Sequence, residues 1–286
     1  MPMLKQQFPR TLVGGVSLPR MLIGSNWMVG YSHTSVAADN QIKQAYSSKE
    51  AVADMLEVFL SFGIDAAMCL MESSPVFVQG IKLAQERTGK KIIVIDTPIL
   101  NVDDNEAARR EARETIKRSR ELGATFCMPH HYSAEQLVNK NKRTMDRLPD
   151  YLSMIREEGM IPGLSAHMPE LIVYSDLNGY DVETYVQIYN CLGFLMQVEA
   201  EYIHKVITNA QKPVMTIKSM AAGRVSPFVG LTFSYSTIRP CDMVTVGCYT
   251  REEILEDVEI AMAAIERRPP DLSGRNSPKK SDVMQG

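Results

Sequence analysis

Eight times along this chain an apolar, β-type run stops at a polar side chain and gives way to a turn and a helical stretch. The runs are MLIGSN, ending at Asn26; AAMCLME, at Glu72; KIIVID, at Asp96; ATFCMPHH, at His130 and His131; IPGLSAH, at His167; FLMQVEAE, with Glu199 and Glu201; VMTIK, at Lys218; and DMVTVGC, at Gly247 and Cys248. Strands that alternate with helices form a parallel sheet, and eight of them close into a (β/α)8 TIM barrel of the α/β class. Groups at the carboxyl ends of barrel strands converge on one mouth. The chain therefore reads as a barrel whose mouth is charged and contains histidine.

Its 286 residues suit one such barrel, for which roughly 250 are typical. The reading is one domain over 1–267, opened by a small β-hairpin, and a disordered C-terminal tail over 268–286. Net charge is −3 with no block of one sign, so no nucleic-acid footprint is indicated. No apolar run approaches the roughly 20 residues of a membrane span, and no signal-peptide core opens the chain. Five cysteines (Cys69, Cys127, Cys191, Cys241, Cys248) are odd in number and lack CxxC spacing, which fits reduced thiols in a cytoplasmic protein. The expected partner is a small molecule, and a homo-oligomer is compatible with this surface.

GGVSLPR places a turn between two short apolar runs, hence the hairpin. Strand one, near Met21 to Ser25, is expected to feed a long polar loop that carries Trp27 and His33, with Tyr31, Ser32 and His33 as lid contacts. A helix then starts at an N-cap near Ser48. RREARETIKRSR is basic but alternates with Glu106, Glu111 and Glu114, the pattern of a solvated helix face. Strand six is placed at Phe194–Glu199.

Side chains alternate across a strand, which sets which groups share the mouth. Val94 with Asp96, Ser165 with His167, Gln197 with Glu199 and Glu201, and Thr216 with Lys218 are expected to point inward. Imidazoles among carboxylates are what a divalent cation needs, so His130, His167 and Glu199, with Glu72 or Asp96, form the candidate metal set. The competing reading pairs those carboxylates with Lys218 and Arg224. Glu199, Glu201 and His130 are candidate bases. Lys218 can hold an anion electrostatically or, if desolvated, form a Schiff base. AAGR and VGCYTREE have the small residues and helix start of an anion site, with Ser219, Gly223, Arg224 and Gly247 as candidates beside Asn26 and His33. Glycine in a tight turn, and Glu252 and Glu253 complementing the helix dipole, are the competing explanation.

RTLVGGVSLPRMLIGSN, GLSAHMPE, MTIKSMAAGR and TVGCYTREEILEDVE together resemble the hairpin, strand five, strand seven and last strand and helix of aldo-keto reductases. That resemblance implies the barrel with its hairpin. In that family an Asp and a Tyr follow strand two, a Lys ends strand three and a His ends strand four. Here strand two leads into CLMESSPVF, strand three ends in Asp96-Thr97-Pro98, and His130 alone matches. A reductase needs the Tyr as proton donor and the Lys to lower its pKa. Three readings follow. The first is a metal-assisted or acid–base lyase or isomerase acting on a small polar carbonyl or sugar-like substrate. The second is a diverged NADPH-dependent oxidoreductase, and the third a non-catalytic ligand-binding barrel.

Overall fold

The computed structural model describes residues 7–272. Its parallel sheet contains the barrel strands β1 (Met21–Gly24), β2 (Ala66–Cys69), β3 (Ile93–Asp96), β4 (Phe126–Cys127), β5 (Ile161–Pro162 and Leu164–Ser165), β6 (Tyr185–Ile188), β7 (Val214–Ile217) and β8 (Met243–Val246). The sheet closes through β5, whose first piece pairs with β4 and whose second pairs with β6. The handover falls at Gly163. A Cβ there would lie 2.8 Å from the Thr184 carbonyl oxygen and 2.7 Å from Met128 Cε, so only glycine fits. The outer helices are α1 (Lys49–Ser61), α2 (Pro75–Thr88), α3 (Glu106–Glu121), α4 (Leu148–Glu157), α5 (Glu170–Asn178), α6 (Ala200–Asn209), α7 (Pro227–Thr237) and α8 (Arg251–Glu266).

The hairpin stands as expected. Arg10–Val13 pairs antiparallel with Val16–Pro19, and its Val13 and Leu18 close the barrel floor. Above them Leu22, Met68, Ile95, Phe126, Met128, Val186, Met215 and Met243 fill the interior. A second, larger core lies between sheet and helices. Each helix buries one stripe: α3 hides Ala108, Ala112, Ile116 and Ser119, and its arginines point outward to Glu106, Asp150, Glu157 and Glu121. The basic run is thus the solvated face its alternation implied. Ser48 does cap α1, accepting the Ala51 N–H at 3.2 Å.

Three expectations about elements need correction. The segment after β1 is not a loop: it contains helices Asn26–Val29 and Val36–Ala45, the second capped by Ser35. Strand six is Tyr185–Ile188, and Phe194–Glu199 lies in the connection that follows. Asn190 ends that strand, its carboxamide oxygen accepting the N–H groups of Leu192 at 3.2 Å and Phe194 at 2.8 Å. Residues 268–272 are docked: Arg268 pairs with Glu259 and Glu266, and the Asp271 N–H donates to Glu259 at 2.8 Å. The rest of the expected disordered tail lies outside the described residues. Among those described, no helix is long and apolar enough to cross a membrane, and all five cysteines are free thiols.

Candidate active site

A cavity of about 730 Å3 opens at the carboxyl ends of the strands. His33, His130, His131, His167 and Lys218 all line it. β4 stops at Cys127, and the chain turns through Pro129 so that His130 caps a short helix, His131–Ala134, its Nδ1 accepting the Tyr132 N–H at 3.3 Å. Strand alternation has therefore ended before His131, and both rings enter the cavity. Their centroids are 4.2 Å apart. His131 stacks in turn on His167, at 3.7 Å and 20°. Glu135, one helical turn beyond His131, accepts the backbone N–H groups of His167 at 2.6 Å and Met168 at 2.9 Å. One carboxylate thereby ties the end of β5 to the end of β4. Gln187 fixes the other side of that residue by donating to the His167 carbonyl at 3.2 Å.

Lys218 reaches the mouth by a different route from the one expected. The inward positions of β7 are Met215 and Ile217, so alternation would send residue 218 outward. A left-handed backbone at Lys218 (φ 64°) turns it into the cavity instead. Its pKa is lowered by burial alone, and among the described residues no ion pair or hydrogen bond to its ammonium is found. The expected pairing with carboxylates is absent there.

Several cationic groups thus share one recess, and their protonation is suppressed. Burial, then His131 and Lys218, bring His130 down to about 4. Burial, then His131, Lys218, His130 and His33, bring His167 down to about 3. His33 is lowered first by burial, then by Lys218. His131 is lowered by burial as well, but Glu135 works the other way. The imidazoles of His130 and His167 are therefore neutral at pH 7.

The expected carboxylates lie elsewhere. Because strand six is Tyr185–Ile188, Glu199 is the exposed N-cap of α6 and Glu201 lies in its first turn, also exposed; neither lines the cavity. Glu72 is exposed, outside the mouth. Asp96 follows Val94 onto the helix-facing side of β3; it is 2% exposed and accepts the Met71 N–H at 2.9 Å. Burial raises its pKa. The predicted metal set of His130, His167, Glu199, Glu72 and Asp96 is thus not assembled.

The anion-site candidates divide. Asn26, His33, Ser219, Gly223 and Gly247 line the cavity, and Asn26 Nδ2 lies 3.1 Å from His33 Nε2. Arg224 sits outside on an exposed rim, its guanidinium 4.2 Å over the Phe194 ring and donating to the His33 carbonyl. The N–H groups of Ala221, Gly223, Arg224 and Val225 bond within their own turn. At α8 the Glu253 carboxylate accepts the Tyr249 and Thr250 N–H groups in a capping box. Both would-be cradles are largely satisfied by their own chain. Sequence reasoning passed over Glu135, whose signal was its helical spacing of four from His131. It also passed over Asp257, which lines the cavity from α8.

His131, Glu135 and His167 bring potential ligand atoms within 4.8 Å of one another. A cation lies in the plane of each imidazole it binds, whereas these two rings are stacked nearly parallel. As arranged they do not converge on one ion.

No family model and no curated protein sequence matches this chain. Solved structures do match in fold. A protein provisionally assigned to the aldo-keto reductases, from Pseudomonas aeruginosa, superposes with a TM-score of 0.68 at 13% identity, covering 93% of this chain and 99% of that one. An aldo/keto reductase from Klebsiella pneumoniae, solved with NADP and acetate, gives 0.53 at 13%, covering 96% and 93%. A chain of the BexX/CysO complex of Amycolatopsis orientalis gives 0.54 at 14%, covering 96% and 99%. The protein is a (β/α)8 barrel with an N-terminal hairpin, resembling aldo-keto-reductase barrels at a distance where the fold alone carries over.

Proposed function

We propose that this barrel is an acid–base lyase or isomerase in which Lys218 forms an imine with a small polar carbonyl substrate and His131 moves the proton. The observation that carries the reading is a desolvated lysine, without a carboxylate partner, facing a cluster of imidazoles. Burial favours the neutral amine, the form that attacks a carbonyl. The Lys218 nitrogen adds to the carbonyl carbon. The carbonyl oxygen takes one proton from that nitrogen and one from solvent and leaves as water, giving a protonated C=N bond. The protonated imine then accepts the electron pair released when the proton on the neighbouring carbon departs to His131. Of the histidines, His131 is suited to that proton because Glu135 offsets the effect of burial, while His130 and His167 are held neutral as hydrogen-bond partners.

The test is reductive trapping. Incubation with glyceraldehyde, dihydroxyacetone or pyruvate and cyanoborohydride should add one adduct mass to the intact chain, mapped to the peptide carrying Lys218. Lys218→Met should remove it. No adduct on Lys218 with any carbonyl compound would refute the imine.

A metal ion is the other way to polarise a carbonyl. His131, Glu135 and His167 would have to hold it, and the stacked rings do not fit that role. Metal analysis of tag-free protein is expected to find well under one equivalent. A stoichiometric ion lost in His131→Ala would replace the lysine mechanism.

A second reading, NADPH-dependent reduction, is favoured by Tyr31, Lys218 and His130 lining one cavity, the residue types a rearranged reductase site would need. It requires saturable NADPH fluorescence enhancement; no binding at millimolar cofactor removes it.

A further inference from the structure

The cavity has a second end that the imine chemistry leaves unused. Across the barrel from His130, His131 and His167 it is lined by Trp27, Thr245, Gly247, Glu253, Glu256 and Asp257, from the segments after β1 and around β8 and α8. Asp257 is 2% exposed. Its Oδ2 accepts the Cys248 S–H at 3.3 Å, while Oδ1 has no donor among the described residues. Thr245 Oγ1 is likewise buried without a hydrogen-bond partner. Buried acceptors are rarely left this way unless something else supplies the donor.

The wall beside them is aromatic. Trp27 meets Tyr249 at 6.2 Å in an edge arrangement, and Tyr249 meets Tyr46 at 5.9 Å. Trp27 packs so closely over Gly247 that a Cβ there would lie 2.9 Å from its Cδ1. Indole is the best of the aromatic partners for a cation. The one charge that shifts Asp257 is that of Glu253 on the same helix, and neither Lys218 nor a histidine contributes.

We propose that this end binds a protonated primary amine of the substrate, with Asp257 and Thr245 accepting its N–H groups and Trp27 flanking the charge. The substrate class is then a small amino-carbonyl compound, with its ammonium at the α8 end and its carbonyl at Lys218. An ammonium supplies several donors and one positive charge, which matches two unbonded acceptors on an acidic, aromatic wall. This rests on the reading that the cavity is the substrate site, but it is tested without the reaction.

Trp27 is the chain's single tryptophan, so intrinsic fluorescence reports from the proposed site itself. Ethylammonium chloride titrated into the full-length protein should give a saturable change. Ethanol, and potassium chloride at equal ionic strength, should not. Asp257→Asn should weaken the ethylammonium response at least ten-fold, and Thr245→Val about three-fold or more. Lys218→Met should leave it in place, which separates this proposal from the imine. The proposal is overturned if Asp257→Asn binds ethylammonium as the parent does, if ethanol is equivalent, or if potassium saturates the signal equally and an alkali cation is the occupant. Should Asp257→Asn fail to fold, Thr245→Val decides: an unchanged response overturns the proposal.

Discussion

The two ends of the cavity hold buried titratable groups of opposite sign, bases at one and acids at the other. At the β4–β5 end several bases crowd together, and burial with mutual repulsion keeps His130 and His167 neutral. At the α8 end Asp257 lies among acids, and burial with the nearby Glu253, against the pull of the Cys248 thiol, carries it up to about 7. At both ends burial and neighbours of like sign suppress charge, bases among bases at the first and acids among acids at the second. At pH 7 the same cavity therefore holds neutral imidazoles at His130 and His167 beside a carboxyl that is about half ionised.

The largest effect expected from disturbing this contrast is at its reactive end. Lys218→Met should lower turnover of a carbonyl substrate by at least a thousand-fold while the far-ultraviolet circular dichroism stays unchanged. His131→Ala, which removes the ring that stacks on His167 and tilts against His130, should lower kcat by roughly a hundred- to ten-thousand-fold, with a smaller change in KM.

The pH dependence of stability should separate the two ends by sign. Unfolded histidines titrate near 6.5, whereas His130 and His167 titrate at about 4 and about 3 in the fold. Between those values the unfolded chain binds more protons, so this end loses stability as pH falls below about 6.5. Asp257 runs the other way. Its acid titrates near 3.8 when unfolded and about 7 when folded, so its contribution weakens as pH rises through that window. Urea midpoints should show His130→Gln/His167→Gln flattening the acid limb. Asp257→Asn should raise stability at pH 8 by ~2–4 kcal/mol. Parallel pH profiles in parent and variants would erase the contrast. The smallest effect should be Glu135→Gln, which keeps an acceptor for the His167 and Met168 N–H groups and should cost about 1 kcal/mol.

The barrel was legible because most of its strands are β-type runs closed by a polar residue, and that periodicity survives without a family signature. Strand six was not, because two apolar runs lie within fifteen residues of each other. The run that became the strand, Tyr185–Ile188, is fully buried, while Leu195 on the other, and Leu192 just before it, are exposed. Only closure of the sheet between β5 and β7 decides between them. Placing strand six too late moved Glu199 and Glu201 into a mouth they never reach. Parity failed at Asp96 and Lys218 for two separate reasons. Asp96 belongs to a strand whose inward positions are Ile93 and Ile95, so its register is one residue off the assumed one. Lys218 lies beyond its strand, where backbone geometry replaces alternation. His130, His167, Ser219 and Gly247 line the cavity and each sits at or near a strand end in the sequence itself, while His33 lies in the segment between two helices after β1.

The left-handed backbone at Lys218 has a consequence for how this protein could change. A lysine in that conformation carries a strain of roughly 1–2 kcal/mol that glycine would not. It also buries an amine that glycine would remove. Position 218 is therefore a place where selection for robustness and selection for chemistry pull apart. Libraries screened only for heat tolerance should enrich Lys218→Gly, and if Lys218 forms the proposed imine, every protein so improved would be a sturdier barrel with an inert mouth.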